Sequence, residues 1–250
     1  SEASGEWILL LNNDMTLQPE CLERLMNAAT SGDCAMLAPL VVWKDEPERI
    51  YAAGDRIGLN GRPKSIGFRS PRDGFPFPDE VFGVSAGAGL FRRDLFAKIG
   101  LLDERFHAYF EDSDLCFRAR LAGFRARLVP EAVACHIGSA SIEGRTWWRA
   151  RQCFRNHALL VAKNMPGRLL LRHGAAILKE RGHQAGRLFS AARCEFGAIR
   201  ACGIVVATCL SAWMAMPAML AARRRIQRTR VLPDAAVDAL LRTSYQKERN

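Results

Sequence analysis

The sequence contains none of the short motifs that mark several large functional classes. It has no P-loop, no Ser/His/Asp nucleophile arrangement, no internal repeat, and no helix-turn-helix, zinc-finger or RNA-recognition signature. Its eight cysteines form no CxxC pair and no disulfide-like framework, so we expect reduced thiols in a cytosolic setting. These absences argue against a P-loop NTPase, a triad hydrolase, a repeat protein and a nucleic-acid-binding module.

Acidic residues are scarce in the C-terminal part of the chain. Residues 1–145 contain 17 Lys and Arg against 21 Asp and Glu, a net charge of −4, whereas 146–250 contain 19 against 5, a net charge of +14. The charge therefore divides the chain into two regions near residue 145. With 49% hydrophobic and 25% charged residues, the composition is that of a globular protein that can bury one sizeable core.

Charge is absent altogether from 201–222, a run of 22 residues between Arg200 and Arg223. As a helix this run would extend about 33 Å, enough to cross a bilayer. Its many small residues and Pro217 leave three interpretations open: an in-plane or partly inserted helix, a spanning helix, and a buried soluble helix. The flanking arginines would stay on the cytoplasmic side and attract anionic lipid, which favours a membrane surface over nucleic acid as a partner.

The C-terminal region reads as a series of helices. We expect helices over about 168–195, 196–228 and 234–243, and a helix break at Pro166 and Gly167.

The most informative motif places three carboxylates, those of Glu111, Asp112 and Asp114, at the start of a predicted amphipathic helix. The helix pattern runs to residue 122, and Gly123 stands where a left-handed cap is expected. Unpaired N–H groups and the partial positive charge of a helix start hold carboxylates ionised and fix their direction. The same pattern is also typical of an acid that serves only as an N-cap.

Polar side chains follow two predicted strands. A strand at 7–11 runs into Asp14, and a strand at 132–135 delivers His136. Ligand-binding groups gather at strand ends in α/β sheets. Oxygen from Asp14 and nitrogen from His136 would suit Mg²⁺ or Mn²⁺ carrying a diphosphate, with Asp112 free for proton transfer. A lone histidine after a strand is more often a satisfied core or surface residue, so this interpretation depends on context.

The order and spacing of these segments resembles the inverting family 2 glycosyltransferases of the GT-A fold, particularly the rhamnosyltransferase-like and galactofuranosyltransferase-like members. The matching segments are NND at 12–14, SAGAGLFR at 85–92, FHAYFED at 106–112, and His136, which lies 24 residues after Asp112. The resemblance runs from Gly5 to about Lys163.

The resemblance implies an α/β fold, in which a GT-A, Rossmann-like sheet forms a catalytic region over 1–145. The charge distribution and the uncharged run indicate that a basic, helical, membrane-associating tail follows over 146–250. A GT-A enzyme begins with strand–helix units that bind the nucleotide. We therefore expect the chain to be an N-terminally truncated part of a longer enzyme, lacking roughly 80 to 100 residues ahead of Ser1.

The resemblance also implies a metal site. Asp14 matches the last acid of a DXD-type motif, which binds Mg²⁺ or Mn²⁺ and, through the cation, the donor diphosphate. Asn12 and Asn13 replace the other acids of the motif and are expected to contact the substrate. His136 matches a histidine that completes the metal site.

On the acceptor side, Asp112 matches the catalytic base of the family, and Glu111 would orient the acceptor or adjust the field at Asp112. Gly87, Ala88 and Gly89 match a segment that lines the donor-sugar and acceptor pocket, where small residues let a ligand approach the backbone. On glycine behaviour alone, a tight strand-to-helix connection explains this segment equally well.

The implied function is transfer of a sugar from a nucleotide-diphosphate donor to a carbohydrate or lipid-linked acceptor, with inversion. The setting would be synthesis of cell-surface polysaccharide or glycolipid at the cytoplasmic face of the inner (plasma) membrane. The QxxRW signature of processive synthases is absent, which favours addition of single sugars. The alternative is a catalytically inactive truncated transferase that acts as a membrane-associated scaffold or binding module.

Overall fold

A computed structural model of the protein describes residues 4–137 and 146–246. The described residues form two compact units, and neither is continuous in sequence. The first unit comprises 4–56, 63–101 and 115–137, and the second comprises 57–62, 102–114 and 146–246. Two short segments that precede the charge boundary near residue 145, 57–62 and 102–114, thus group with the C-terminal helices.

A seven-stranded mixed sheet is the centre of the first unit. Its strands are β1 (Trp7–Leu11), β2 (Met15–Leu17), β3 (Met36–Trp43), β4 (Ile50–Ala52), β7 (Glu80–Val81), β8 (Ala88–Arg92) and β9 (Ala126–His136), while β5 (Asp55–Ile57) and β6 (Pro63–Ser65) form a separate pair. The order is β1-β8-β3-β9-β2, with β4 on β3 and β7 on β9. β3 and β9 run parallel, and the other pairs of this sheet are antiparallel.

Three helices accompany this sheet: α1 (Cys21–Thr30), α2 (Arg93–Ile99) and α3 (Glu111–Leu121). β3 is an almost continuous apolar run and is buried over all but its last residue, as expected for a strand covered on both faces. Its side chains share a core with Phe91 of β8 and Leu115 of α3. The predicted strand at 7–11 is confirmed by β1.

A bulge in β9 sets the position of His136. Pro39 of β3 pairs with Val129, whereas the next residue, Leu40, pairs with Val133. Beyond this bulge, β9 stays in register with β3 until Trp43 lies opposite His136. The predicted strand at 132–135 is therefore the second part of a longer strand, and His136 ends it.

Helix α3 begins and ends as its sequence pattern indicates. It starts at Glu111, and Gly123 adopts the left-handed conformation that ends it, with φ of 91°. The Phe124 N–H donates to the Ala119 carbonyl at 3.0 Å, which pairs one of the last carbonyls of the helix. The first turn of α3 belongs to the second unit and the rest to the first.

The second unit is mainly helical. After a 3-10 turn at Glu104–Phe106 it contains α4 (Thr146–Asn164), α5 (Gly167–Arg172), α6 (Gly174–Phe196), α7 (Ala198–Thr229) and α8 (Asp234–Gln246). α4, α6 and α7 pack against one another, and α5 contacts α6 and α8. The predicted break after α4 and the predicted helices over about 196–228 and 234–243 are confirmed, whereas the predicted helix over about 168–195 is divided at His173 into α5 and α6. The fold class is confirmed as a mixed α/β sheet followed by a helical C-terminal part.

Candidate active site

Asp14 and His136 lie side by side in the first unit. Met15, the first residue of β2, pairs with His136 in the antiparallel register, and the Ile137 N–H donates to the Asp14 carbonyl at 2.9 Å. This pairing brings the His136 Nε2 atom to 3.3 Å from the Asp14 Oδ2 atom. The structure therefore brings together the two residues that the sequence predicts as metal ligands.

Aromatic side chains hold the His136 ring. Tyr51 of β4 stacks on it with ring centroids 4.1 Å apart and an interplanar angle of 21°. Trp43, at the end of β3, approaches the same ring edge-on, with centroids 5.9 Å apart. Since a stacked imidazole has few orientations available, these contacts direct Nε2 towards Asp14. Sequence reasoning missed both aromatic residues, although Trp43 stands at a strand end, where ligand-binding groups are expected.

The donor set fits a divalent cation. The Asp14 Oδ1 atom is buried and has no hydrogen-bond partner, although the Asp14 side chain as a whole is 23% exposed. A buried carboxylate oxygen without a partner is costly unless a cation or another donor satisfies it. Over 4–137 and 146–246, no cluster of three or more His, Cys, Asp or Glu suits a metal. The chain would thus offer Asp14 and His136, and Mg²⁺ or Mn²⁺ would take its other ligands from phosphate and water.

Of the predicted substrate-contacting residues, Asn12, Asn13 and Gly87 lie beside this pair. Asn12 and Asn13 are exposed in the turn that precedes Asp14. The Asn12 N–H donates to the Gly87 carbonyl at 2.8 Å. A Cβ atom at Gly87 would stand 2.8 Å from the end of the Met15 side chain, so a larger residue would crowd the turn.

Ala88 and Gly89 have a packing role within β8. Ala88 is buried in a small core cluster with Met15. A Cβ atom at Gly89 would come within 2.4 Å of the Val84 side chain and 3.0 Å of Phe91. Close packing thus accounts for Gly89. The interpretation of the segment as a strand-to-helix connection is correct in part, because α2 begins directly after β8.

Glu111 and Asp112 occupy the first turn of α3 in the second unit. The Asp112 Oδ1 atom accepts a hydrogen bond from the Ser113 N–H at 2.7 Å. The Glu111 Oε2 atom is buried without a hydrogen-bond partner. Burial, and after it the charge of Asp112, raises the pKa of Glu111 from 4.5 to about 7. A pair of neighbouring acids with unequal environments is typical of sites that transfer protons.

Asp114 is not an N-cap. It lies inside α3, and its buried carboxylate accepts hydrogen bonds from Lys163 Nζ at 2.7 Å and Asn164 Nδ2 at 2.8 Å. Asp112 likewise follows the first helical residue. The structure thus separates the acids of the motif: Asp114 anchors the segment to α4, and Glu111 and Asp112 remain as the candidate reactive pair.

We predict that Glu111 makes the stability of the chain depend on pH. A carboxyl group whose pKa is raised by folding stabilises the fold fully below its unfolded pKa near 4.5, and this contribution is lost as pH rises through about 7. Glu111→Gln removes the titration. The variant should match the wild type at pH 4.5 and gain about 1–3 kcal/mol of unfolding free energy over it at pH 8. Urea denaturation at both pH values measures this difference.

Glu104→Gln is the matched control for that experiment, because Glu104 is an exposed glutamate of the same segment. It should leave the pH dependence unchanged. The raised pKa of Glu111 would be contradicted if the difference in unfolding free energy between Glu111→Gln and the wild type were the same at pH 8 as at pH 4.5.

Comparison with known proteins identifies a family. Residues 7–222 match the family described as glycosyl transferase family group 2, a range that covers most of the chain and includes much of the helical part.

Two relatives have informative names. The O-antigen biosynthesis protein RfbC of Myxococcus xanthus is 27% identical over 148 residues, a match that covers 56% of this chain and 12% of that protein. An N-acetylglucosaminyl-diphospho-decaprenol L-rhamnosyltransferase of Mycobacterium tuberculosis is 27% identical over 146 residues, covering 52% of this chain and 47% of that protein. The match thus spans about half of the length of the mycobacterial relative.

Among solved structures, that of GalNAc-T7 with UDP, GalNAc and Mn²⁺ has a TM-score of 0.49 at 13% identity, over 72% of this chain and 35% of that chain. The likeness is too distant for a comparison of individual residues.

Proposed function

The chain belongs to glycosyl transferase family group 2, and from this premise we propose that it moves a sugar from a nucleotide-diphosphate donor to an acceptor hydroxyl with inversion. The observation that carries the proposal is the pair of Asp14 and His136, in which a buried carboxylate oxygen without a partner lies beside an imidazole nitrogen. The two relatives, named for O-antigen biosynthesis and rhamnosyl transfer, support a role in making cell-surface polysaccharide or glycolipid.

Asp14 and His136 would hold Mg²⁺ or Mn²⁺, and Asn12, Asn13 and Gly87 would lie beside the donor. When bound, the cation offsets the negative charge that develops on the nucleotide diphosphate as it leaves. The stacking of Tyr51 and the edge-on contact of Trp43 keep the imidazole nitrogen aimed at the Asp14 carboxylate.

Asp112 would act as the general base. It takes the proton of the acceptor hydroxyl while that oxygen bonds to the anomeric carbon, and the bond from this carbon to the diphosphate oxygen breaks with its electron pair. A single displacement of this kind inverts the configuration. Glu111, whose pKa is raised chiefly by burial, stays largely protonated below neutral pH. It would therefore orient the acceptor without adding a second full negative charge beside Asp112.

The names of the relatives indicate the first substrates to test. We suggest a nucleotide-diphosphate rhamnose as donor and a polyprenyl-diphospho-N-acetylglucosamine as acceptor, with Mn²⁺ or Mg²⁺. Mass spectrometry of the lipid fraction should show the addition of one sugar residue. The alternative function, a membrane-associated scaffold, predicts binding of donor or lipid without any such product.

The exposed surface of α7 supports a membrane partner. α7 is long and apolar enough to cross a bilayer, and only 17% of its most apolar 18-residue stretch is buried. One helix face is buried on α4 and α6, including Ala201, Thr208, Ala212, Met219 and Ala222. The opposite face exposes Val206, Leu210, Trp213 and Leu220, at 47% to 73%. The low burial argues against the interpretation of α7 as a soluble core helix.

A polar contact near the middle of α7 favours one of the remaining two interpretations. Arg155 of α4 donates from Nε to the Ser211 hydroxyl at 3.0 Å. Arg223 donates to two carbonyls of the α4 region, those of Ala162 and Met165. A spanning α7 would place the Arg155 guanidinium near the bilayer centre, which is costly. We therefore propose that α7 lies in the membrane plane, with its apolar face in the interface.

Arginines extend the apolar face of α7. At 3.6 residues per turn, Arg224 and Arg228 share a face with Val206, Leu210 and Trp213, and both arginines are exposed. This arrangement suits an anionic lipid surface, such as the cytoplasmic leaflet of the inner membrane.

We predict that the full chain binds vesicles containing phosphatidylglycerol and that Leu210→Ser with Trp213→Ser weakens this binding at least roughly tenfold, because two large apolar side chains no longer enter the interface. Co-sedimentation measures the effect. Leu101→Ser is the matched control, since Leu101 is 66% exposed in the first unit.

Alkaline carbonate should release the wild-type chain if α7 lies in the membrane plane, and retention would indicate a spanning helix. A wild-type chain that stays entirely soluble at low salt would contradict the membrane assignment.

A further inference from the structure

The backbone just ahead of the two candidate reactive acids is strained. Three non-glycine residues of this stretch are left-handed: His107 with φ of 62°, Tyr109 with 65° and Phe110 with 72°. Bulky side chains rarely adopt this conformation, and it persists only where the surroundings enforce it. Glu111 and Asp112 follow directly, so whatever holds this backbone also directs their carboxylates.

Asn156 of α4 holds the strained backbone. This side chain is fully buried, and its Nδ2 atom donates to three carbonyls of the segment, those of Phe106, Ala108 and Tyr109, at 2.7, 2.9 and 2.7 Å. Its Oδ1 atom accepts a hydrogen bond from Arg155 at 2.9 Å, which fixes the orientation of the amide. An amide nitrogen carries two hydrogens, so one of them is shared between carbonyls. A single side chain thus pairs three carbonyls of the strained segment.

A second anchor lies on the other side of the two acids. Lys163 of α4 donates to Asp114 at 2.7 Å and to Asp103 at 2.6 Å, and all three side chains are at least nine-tenths buried. Burial opposes ionisation of Asp103, but hydrogen bonds from Arg105 and Lys163 and the charge of Lys163 outweigh it and hold the Asp103 pKa below its usual range. Glu111 and Asp112 therefore lie between two segments that α4 holds in place: the backbone of 106–109, bound by Asn156, and Asp114, bound by Lys163.

We propose that Asn156 is a positioning residue whose amide fixes the backbone that presents Glu111 and Asp112. The inference rests on the proposed function, since it names the group that orients the proposed base. Asn156 acts through the left-handed turn: if its donors are lost, the turn relaxes and both carboxylates change direction. A displacement of about 1 Å at a reacting group is enough to cost up to 10²-fold in rate.

The test uses the full chain and Asn156→Asp, which keeps the side-chain shape and replaces the two N–H donors by an acceptor. Hydrogen exchange of the amides at 106–112 should become faster on the order of tenfold. The kcat value for sugar transfer should fall roughly 10- to 10²-fold with the donor KM unchanged. If Asn156→Asp fails to fold, Asn156→Ala removes the donors without adding an acceptor and is measured in the same way.

Leu159→Ala is the matched control, because Leu159 is fully buried in α4 and lacks a polar group that could pair with the strained turn. It should lower global stability while the exchange at 106–112 and the kcat value per folded molecule stay as in the wild type.

Unchanged exchange at 106–112 in the folded Asn156 variants would overturn the proposal, as would faster exchange with a wild-type kcat. The exchange measurement does not depend on activity. A wild-type chain without any transfer would therefore count against the proposed function, while exchange still decides whether Asn156 fixes the turn.

Discussion

Asp112→Asn should lower the kcat value for sugar transfer by roughly 10² to 10⁴, the usual contribution of a general base, while donor binding and the fold stay intact. Asparagine has the shape of aspartate and can still accept a hydrogen bond from the Ser113 N–H, which Asp112 accepts at 2.7 Å. It cannot take a proton from the acceptor hydroxyl at neutral pH. The loss should therefore appear in kcat and not in the affinity for the donor. Steady-state kinetics with varied donor and acceptor concentrations measures both parameters.

Asp94→Asn is the matched control for this variant. Asp94 is an exposed acid in the first turn of α2, so the substitution makes the same chemical change at another helix start. It should leave kcat unchanged. Turnover at the wild-type level by Asp112→Asn would remove Asp112 from the role of base.

Asp14→Ala should abolish the dependence of donor binding on Mg²⁺ or Mn²⁺. A hard divalent cation relies on anionic oxygen, so removal of the one carboxylate in the pair leaves a single imidazole as a protein ligand. His136→Ala should weaken the metal-dependent affinity less. Titration calorimetry with a nucleotide diphosphate, with and without Mn²⁺, measures the affinity, and circular dichroism checks the fold of each variant.

Asp33→Ala is the control for the charge change, since Asp33 is an exposed acid after α1, and it should bind the donor as the wild type does. Metal-dependent affinity that stays unchanged in both Asp14→Ala and His136→Ala would show that the cation site is elsewhere.

Features with a local pattern could be predicted from the sequence. The start of α3 and its left-handed Gly123 are contained within about a dozen consecutive residues, and both are observed. The predicted amphipathic pattern is wrong, because residues 113–121, including Arg118 and Arg120, are all buried. β1 and its continuation into Asp14 are likewise a local apolar run followed by polar residues. The proximity of Asp14 and His136 could be predicted only from the rule that ligand groups gather at strand ends, and the register of β2 with β9 brings them together.

Features with distant partners could not be predicted. The sequence leaves open whether Asp114 is an N-cap, because its hydrogen-bond partners on α4 lie 49 and 50 residues away. Asn156 and the carbonyls that it binds are separated by 47 to 50 residues. No short motif signals such a contact. For the same reason, the charge boundary near residue 145 does not show that 102–114 groups with the helical unit.

Packing explains what motif reasoning left undecided. Gly89 resembles a ligand-binding glycine in sequence, yet its surroundings within β8 leave no room for a side chain. The role of α7 depends on which of its faces is covered, and a run of uncharged residues contains no such information. In the structure, the buried residues of α7 show which face is covered, and the contact between Arg155 and Ser211 supports the proposed in-plane position.

The most direct test of the account is to follow the anomeric configuration of the product by NMR. The full chain is incubated with a nucleotide-diphosphate rhamnose, Mn²⁺ and a polyprenyl-diphospho-N-acetylglucosamine, alongside Asp112→Asn and Asp14→Ala. We predict one added sugar whose anomeric configuration is opposite to that of the donor, with the product almost absent in both variants. A product with retained configuration, or equal product from the wild type and either variant, would contradict the account.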